Sequence, residues 1–407
     1  MYLERVRKAQ EELRIAGYDI MLICDRENLI YYTGIPEIEC GGLIIPAEGE
    51  PLLVTLWLDI PHIKHLLEFE AVGYVYGRDT MASAVARLIS KMGYVAPKIV
   101  FSKYFVEIGV YETLMNNIPG MKVINGTELC YKIRAIKDEK EIEFITKASE
   151  MVRKGMEAAI DAIEPGMTES EVLGYAELAM RKAGSEGSPF RMQVLTKDRQ
   201  LMTHPYATTT TIENNQPIVI HLGATYRGYV SKMCRTIALG QVSEETKKIY
   251  KIMVEAQQAA VKKSMPETPV KEVYNEAFKI IDENGYGDKF IVDIGYGIGI
   301  RQSEFYPIKG FKKVIQIHNT MTSVEEEVEQ AVTYGADILM IDTGIDDDID
   351  KCFSVLKELN VNDKIVAFSG NVKLDRIEFY IDKRVDILCI GKEIIDARML
   401  DMRFDVF

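Results

Sequence analysis

The sequence predicts three consecutive segments: an α/β domain over 1–130, an α+β domain over 131–308 and a parallel βα segment over 309–407. Three observations indicate this order. Helical and strand-like patterns alternate in the first segment, whereas the last repeats a short apolar strand followed by a helix. Between them, two long helical patterns precede the strands. A chain of 407 residues is long enough for two or three domains with their own cores.

The first segment opens with an amphipathic helix that ends at Gly17. One further helix is predicted near 80–92. Short apolar strands are predicted from the runs MLIC at 21–24, GGLIIP at 41–46, PLLVTL at 51–56 and KIVFS at 98–102. Turn residues separate these runs, so we expect a compact α/β domain of mixed strand order.

The second segment carries the strongest helix signals. Apolar residues recur at helical spacing at Ile142, Ile145, Ala148 and Val152. The run TESE at 168–171 is a capping box and starts a second helix, because its first and last side chains satisfy free backbone amides. Strand-like runs and two more helices follow at 191–195, 218–222, 244–263 and 269–284.

The third segment spaces its apolar strands evenly, with a helical run between each pair. The strands are VIQI at 314–317, ILMI at 338–341, KIVAF at 364–368 and DILCI at 386–390. This rhythm is typical of parallel βα units, and about four units make half of an eight-fold barrel. Because a half barrel has open edges, we expect these edges to be covered by the second segment or by a twin chain in a homodimer.

Composition narrows the function classes. The net charge of −13 argues against nucleic-acid and membrane partners, because nothing offsets the repulsion from phosphates. No apolar run approaches the roughly 20 residues that cross a bilayer. The amino terminus lacks the apolar core of a signal peptide. We therefore expect a cytoplasmic protein with a small-molecule substrate and no cofactor.

The run IVIHLGATYRGYVSKMCRT at 218–236 has the form of a metal site with its ligands replaced. It resembles the central motif of the creatinase and Xaa-Pro aminopeptidase family, the pita-bread proteins. The runs RVRKAQEELRIAGYDIMLICDRENLIYYTGI and RAIKDEKEIEFITKASEM also resemble that family. The resemblance implies a creatinase-like amino-terminal domain and a truncated pita-bread α+β domain.

Peptidases of that family bind two metal ions through two Asp, one His and two Glu. The resemblance places His221 and Lys232 at the two Asp positions and Tyr296 at the His position. The segment that supplies both Glu ligands has no counterpart. A protonated lysine has no lone pair and repels a dication. The resemblance therefore implies that the metal is lost and predicts that the chain is not a metallopeptidase.

Metal-free members of the family, creatinase and the ectoine hydrolases, use a histidine base. His204 lies at the matching distance before the central motif and is a candidate base, or it only closes a turn before Pro205. Arg235 matches the family's arginine and can bind a carboxylate or form a structural ion pair. Lys232 is a further catalytic candidate if burial lowers its pKa.

The last segment resembles the end of the quinolinate phosphoribosyltransferase barrel, in VEEEVEQAVTYGADILMIDTG, IVAFSGNVKLDRIEFYIDKRVDILCIGKEI and MLDMRFDVF. Loops after consecutive strands present backbone amides to a phosphate in such barrels. The resemblance implies phosphate binding at Ser369, Gly370, Asn371, Gly391 and Lys392. The alternative is that these residues only form ordinary tight turns between strands and helices. It places Asp342 and His318 at two acid positions.

Three functions remain open at this point. The favoured one is a metal-independent fusion protein that binds or processes a small phosphorylated metabolite, with a pyridine ring as one option, in cofactor biosynthesis. The second is a metal-free C–N hydrolase that uses His204. The third is a non-catalytic scaffold. Besides the catalytic and phosphate-binding candidates, the predicted substrate-binding residues are His221, Tyr229, Tyr296, His318 and Asp342, with core packing as the alternative for Tyr229.

Overall fold

The computed structural model describes residues 1–103, 106–202, 204–290, 294–304, 314–319, 322–333, 335–370, 372 and 376–389. The chain divides into two compact units, Met1–Pro307 and Ile308–Phe407. The further boundary predicted at residue 130 stays a prediction. None of the described helices is both long and apolar enough to cross a membrane.

The first unit begins with a six-stranded mixed sheet. Its strands are β1 Ile20–Ile23, β2 Gly42–Pro46, β3 Leu52–Leu56, β4 Glu70–Tyr74, β5 Lys98–Phe101 and β6 Lys122–Asn125. They lie in the order β4-β3-β2-β1-β5-β6, and β1 pairs antiparallel with β2 but parallel with β5. The mixed α/β prediction is therefore confirmed.

Six helices surround this sheet: α1 Tyr2–Ala16, α2 Arg26–Thr33, α3 Ile60–Ile63, α4 Met81–Lys91, α5 Ile108–Asn117 and α6 Thr127–Arg134. Helix α1 buries Val6, Ala9 and Leu13 on one stripe. It ends at Gly17 because that residue adopts the left-handed conformation (φ 67°), in which glycine has no Cβ penalty.

The rest of the first unit is α+β. Its elements are α7 Glu139–Ala162, α8 Glu169–Lys182, β7 Gln193–Leu195, β8 Gln216–Tyr226, β9 Tyr229–Leu239, α9 Glu244–Lys263 and α10 Val270–Glu283. The predicted capping box at Thr168 and Glu171 is confirmed, and α7 has a second one at Asp138 and Glu141. Strands β7, β8 and β9 form an antiparallel sheet in that order.

Alternation along β8 decides which side chains enter the core beside α7 and α8 and which face away from it. Ile218, Ile220 and Leu222 are fully buried in a core shared with residues of α7 and α8, such as Val152 and Val172. Because successive side chains of a strand point to opposite faces, His221 and Gly223 face away from this core.

The second unit contains a parallel sheet. Its elements are β10 Val314–Ile317, α11 Val324–Thr333, β11 Ile338–Ile341, α12 Asp347–Glu358, β12 Ile365–Ser369, α13 Ile377–Asp382 and β13 Ile387–Cys389. The strands lie in sequence order and every neighbouring pair is parallel. The prediction of consecutive parallel βα units is confirmed.

Candidate functional site

The hairpin of β8 and β9 brings His221 and Lys232 to one face of the antiparallel sheet. In the ladder, His221 lies opposite Cys234 and Gly223 lies opposite Lys232. Directly opposed residues of an antiparallel pair project to the same side. Both side chains therefore stand on the face opposite the α7 and α8 core, here called the cleft face. The motif at 218–236 predicts a site at these two residues.

The Lys232 ammonium is held by aromatic groups. Its Nζ donates a hydrogen bond of 2.5 Å to the hydroxyl of Tyr296. The same nitrogen lies 4.0 Å from the Tyr296 ring centre and 5.5 Å from the Phe190 ring centre, within the range of cation–π attraction. Across the described ranges, no carboxylate oxygen lies within 4.0 Å of it.

Phe190 belongs to the site although the sequence did not indicate it. Its ring centre lies 4.6 Å from that of His221. A Cβ at position 223 would come within 2.4 Å of the ring, so Gly223 provides the space that the ring occupies. Phe190 sits in a loop before β7 without periodic neighbours, and its role depends on a glycine more than thirty residues away. No local pattern could have identified it.

His221 is neutral near pH 7. Burial is the main cause that lowers its pKa to about 4, and electrostatic interaction with Lys232 and then with His204 also lowers it. A neutral imidazole offers one N–H donor and one acceptor. The face therefore combines a fixed positive charge, a phenol and a neutral imidazole.

Neither of the other two predicted catalytic residues is hydrogen-bonded to this group, although Arg235 and Tyr296 line one groove and His204 interacts electrostatically with His221. Arg235 lies opposite Ile220 in the ladder, is exposed, and donates to the backbone carbonyl of Cys234 at 2.8 Å. It lies three positions after Lys232 in the strand, so alternation directs its side chain to the opposite face of the sheet. His204 is exposed in a loop with φ 66° and interacts electrostatically with His221.

Tyr229 is a core residue, which agrees with the alternative prediction of core packing and not with substrate binding. It is 2% exposed. Its hydroxyl accepts a hydrogen bond from Arg5 Nη1 (3.2 Å) and donates one to Glu141 Oε1 (3.1 Å). Burial raises the pKa of Tyr229. A ring enclosed on all sides, with a hydroxyl already bonded twice, does not reach a substrate.

An apolar groove adjoins the Lys232 and Tyr296 pair. It has a volume of about 1170 Å³ and is lined by Val219, Cys234 and Thr236 of the sheet, by Tyr296, and by apolar side chains of α9 and α10. Ile249 and Met253 of α9 are among these and are 38% and 44% exposed. A cation at the border of an apolar groove suits a small ligand with one anionic end and an apolar body.

The described residues do not fit a two-metal site. Lys232 has no lone pair while protonated, and the Tyr296 phenol already accepts a hydrogen bond from it. Neutral His221 alone can donate to a metal. Within the described residues, no group of three His, Cys, Asp or Glu side chains could hold a metal ion. The prediction that no metal binds stays a prediction.

The second unit gathers its candidates at the carboxyl ends of its strands. His318 follows β10, Asp342 follows β11, and Ser369 ends β12. Gln316 donates to Asp342 Oδ2 at 3.0 Å, and a Cβ at Gly370 would lie 3.5 Å from Asp342 Oδ1. Asn371, Gly391 and Lys392 lie outside the described residues. Phosphate binding here stays a prediction.

Comparison with family models divides the chain into three matches. Residues 5–136 match the creatinase/prolidase N-terminal domain, and residues 143–344 match metallopeptidase family M24. Residues 310–405 match the quinolinate phosphoribosyl transferase C-terminal domain. The fold and the first two matches define a protein of the pita-bread peptidase class.

Similar proteins show more specifically which family of this class the chain belongs to. The chain is 34% identical over 322 residues to an Xaa-Pro dipeptidase of Pyrococcus furiosus, with 79% of this chain and 89% of that protein covered. It is 26% identical to a putative dipeptidase of Bacillus subtilis, over 74% and 84% of the two chains. A solved Xaa-Pro dipeptidase from Bacillus anthracis has a TM-score of 0.68 at 26% identity, over 75% and 84%. The chain belongs to the creatinase/Xaa-Pro dipeptidase family, M24.

Two expectations are therefore wrong. The favoured function, a phosphorylated metabolite in cofactor biosynthesis, is overturned because the relatives are Xaa-Pro dipeptidases, which points to peptide hydrolysis. The statement that the chain is not a metallopeptidase is also wrong as a classification, since the chain belongs to a metallopeptidase family. Both predictions followed from the replaced side chains at His221, Lys232 and Tyr296. The similarity to the relatives, in contrast, extends over 307 to 324 residues.

Proposed function

We propose that the first unit of this chain is directed at proline-containing dipeptides of the Xaa-Pro type. The observation that carries this proposal is the 34% identity to the Xaa-Pro dipeptidase of Pyrococcus furiosus, of which 89% is covered. The ligand class comes from that relative and from the solved dipeptidases, and the binding region proposed is the face that carries His221 and Lys232.

The chemistry of this face supports such a ligand. A dipeptide has a carboxylate at one end, and the Lys232 ammonium has no carboxylate partner among the described residues. A proline ring is apolar and compact, and the adjoining groove is lined by side chains such as Val219 and Met253. Few convergent polar groups beside an apolar wall are typical of small-molecule sites.

The test is a calorimetric comparison of Gly-Pro, Ala-Pro and Met-Pro with the reversed dipeptides Pro-Gly, Pro-Ala and Pro-Met. We expect binding of the Xaa-Pro series and weaker binding of the reversed one, because reversal moves the ring away from the carboxylate-bearing residue. Proline release is measured in the same samples, with and without added Mn²⁺ or Co²⁺. Equal affinity for the two series would contradict the proposal.

We also propose, as a finer statement, that the metal ligands of the family are lost in this chain. The support is the donor set: an imidazole of lowered pKa, an ammonium and a hydrogen-bonded phenol at His221, Lys232 and Tyr296. The measurement is the metal content of the dialysed protein by plasma mass spectrometry, after incubation with Mn²⁺, Co²⁺ and Zn²⁺. We expect substoichiometric metal, and two tightly held ions per chain would overturn this statement.

The carboxyl-terminal unit is proposed to be a fused piece of a phosphoribosyltransferase barrel. Its support is the family match over 310–405 together with four parallel strands in sequence order. Deletion of residues 309–407 is expected to leave the remaining fragment, residues 1–308, insoluble. A soluble, monodisperse 1–308 fragment in size-exclusion chromatography would count against this expectation.

A further inference from the structure

Lys232 is a half-buried ammonium without a charged partner, at a position where the family resemblance has a metal ligand. One of its three N–H donors is used on the Tyr296 hydroxyl, at 2.5 Å. No carboxylate among the described residues lies within 4.0 Å of it. A charge that is partly removed from water is costly unless it is compensated. Two unused donors and an uncompensated charge are the chemistry of an anion site.

The surroundings strengthen this electrostatic demand. The rings of Phe190 and Tyr296 cover the ammonium, with centres 5.5 Å and 4.0 Å from Nζ. Apolar cover lowers the local dielectric constant, so an ion pair formed here is worth more than one in open water. His221 lies on the same face and stays neutral near pH 7. Lys232 thus supplies the positive charge of this face, and His221 adds none to it.

We infer that Lys232 takes the place of the metal ions as the positive charge of the cleft and binds the carboxylate of the dipeptide. The Tyr296 hydroxyl accepts a hydrogen bond from Lys232 and so holds the ammonium in position. His221 supplies one imidazole N–H on the same face. This inference rests on the proposed function for the identity of the ligand, but not for the presence of the anion site.

A carboxylate fits this site better than a phosphate does. One ammonium balances a carboxylate, whereas a phosphate group near pH 7 carries more than one negative charge. The second charge would remain without a partner among His221, Tyr296 and Phe190, and an unpaired charge at a half-buried place is unfavourable. The ligand is therefore expected to be a monocarboxylate attached to an apolar group that reaches the groove.

The experiment compares acid and amide forms of one ligand on matched variants of the full chain. Gly-Pro and glycyl-prolinamide are titrated calorimetrically into wild type, Lys232→Met, Tyr296→Phe and the control Lys154→Met. Methionine keeps most of the length of lysine without its charge, and Lys154 is an exposed residue of α7 away from the cleft. Acetate is titrated as a carboxylate that is not a peptide.

We expect wild type and Lys154→Met to bind Gly-Pro roughly tenfold or more tightly than its amide, the scale of a charge-assisted hydrogen bond. In Lys232→Met the acid and the amide should bind equally, because the difference between them comes from this contact. Tyr296→Phe should lose a smaller factor. The acid and amide comparison on wild type needs no mutation, so a poorly folded variant does not leave the inference untested.

The outcomes separate this inference from the proposed function. Equal binding of acid and amide by wild type, or a difference that persists in Lys232→Met, overturns the carboxylate contact but leaves dipeptide binding intact. Acetate binding that disappears in Lys232→Met, without binding of any dipeptide, overturns the proposed function and leaves the anion site standing. Binding of none of these ligands by wild type overturns both.

Discussion

Two residues of β9, three positions apart, have opposite electrostatic surroundings. Tyr229 is buried in the core with its hydroxyl between Arg5 and Glu141. Lys232 stands on the cleft face with two aromatic rings and no carboxylate among the described residues. The strand is the same, but Tyr229 lies beside ion-paired side chains, whereas Lys232 has no carboxylate partner among the described residues.

The compensated region is a compact ionic cluster. Arg5 Nη2 lies 2.6 Å from Asp138 Oδ2 and 3.5 Å from Glu141 Oε2. Its Nη1 donates to the backbone carbonyl of Tyr31 at 2.7 Å. The side chains of Arg5 and Glu141 are 6% and 3% exposed. The cluster connects α1 to α7 and to β9, so its role is to hold elements together, whereas the charge of Lys232 is available to a ligand.

The largest effect should come from breaking the compensated cluster. Arg5→Met leaves Glu141 buried without its counter-charge, although burial already raises the pKa of that carboxyl. We expect a loss of about 3–5 kcal/mol in the free energy of unfolding, the scale for removing one partner of a buried pair.

Denaturant unfolding followed by circular dichroism checks this value. Arg153→Met is the control, because Arg153 and Glu157 form an exposed pair on α7 with more than half of each side chain accessible. Exposed pairs contribute at most about 1 kcal/mol. If Arg5→Met loses no more unfolding free energy than this control, the cluster does not stabilise the fold.

A smaller effect should separate the two tyrosines. Tyr229→Phe deletes a buried hydroxyl and leaves polar atoms of Arg5 and Glu141 with one partner fewer, so we expect a loss of about 1–3 kcal/mol. Tyr296→Phe deletes a hydroxyl on a ring that is 48% exposed, where water can replace it. Its unfolding free energy should change by less than about 0.5 kcal/mol. Similar losses in both variants would contradict the distinction.

The smallest effect on stability is expected at Lys232, with a clear change at His221. Lys232→Met removes an uncompensated charge, so the free energy of unfolding should stay the same or rise. The pKa of His221 is lowered to about 4 by burial first and then by electrostatic interaction with Lys232 and His204, so it should rise in this variant. Proton NMR titration of the His221 ring checks it, and an unchanged pKa would mean that Lys232 does not contribute to the lowered value.

The same pKa predicts how stability depends on pH. The pKa of His221 is about 4 in the folded protein and lies near the ordinary 6.5 in the unfolded chain. Between these values the unfolded chain binds more protons, so acidification from about pH 6.5 to pH 4 should lower this residue's contribution to stability. In Lys232→Met the same loss should be smaller, and thermal melts of both proteins over this pH range measure it.

Much of the fold follows from local patterns. Short apolar runs predicted strands β1, β2, β3 and β5, and a capping box predicted the start of α8 at Thr168. Gly17 ends α1 as expected. These features depend on neighbours within a few residues, so the local sequence is sufficient to predict them. The parallel order of the last strands follows equally from their spacing.

The site was predicted only in part. The motif at 218–236 indicated His221 and Lys232, and strand alternation brings them to one face. Phe190 was missed, because its place depends on the space that Gly223 leaves. Arg235 matched the family motif, yet alternation turns it away from Lys232. The favoured function was wrong. It rested on the replaced metal ligands, whereas the relatives that share the fold are Xaa-Pro dipeptidases.

The sequence by itself determined the order of segments, the helix ends and the residues that stand where metal ligands are expected. Only the tertiary structure decided which charges are compensated. Arg5, Glu141 and Tyr229 are separated by more than eighty residues in the chain, and no spacing rule relates them. Compensation depends on distances between side chains from different elements. This is why Tyr229 and Lys232, nearly adjacent in sequence, belong to a core and to a candidate site.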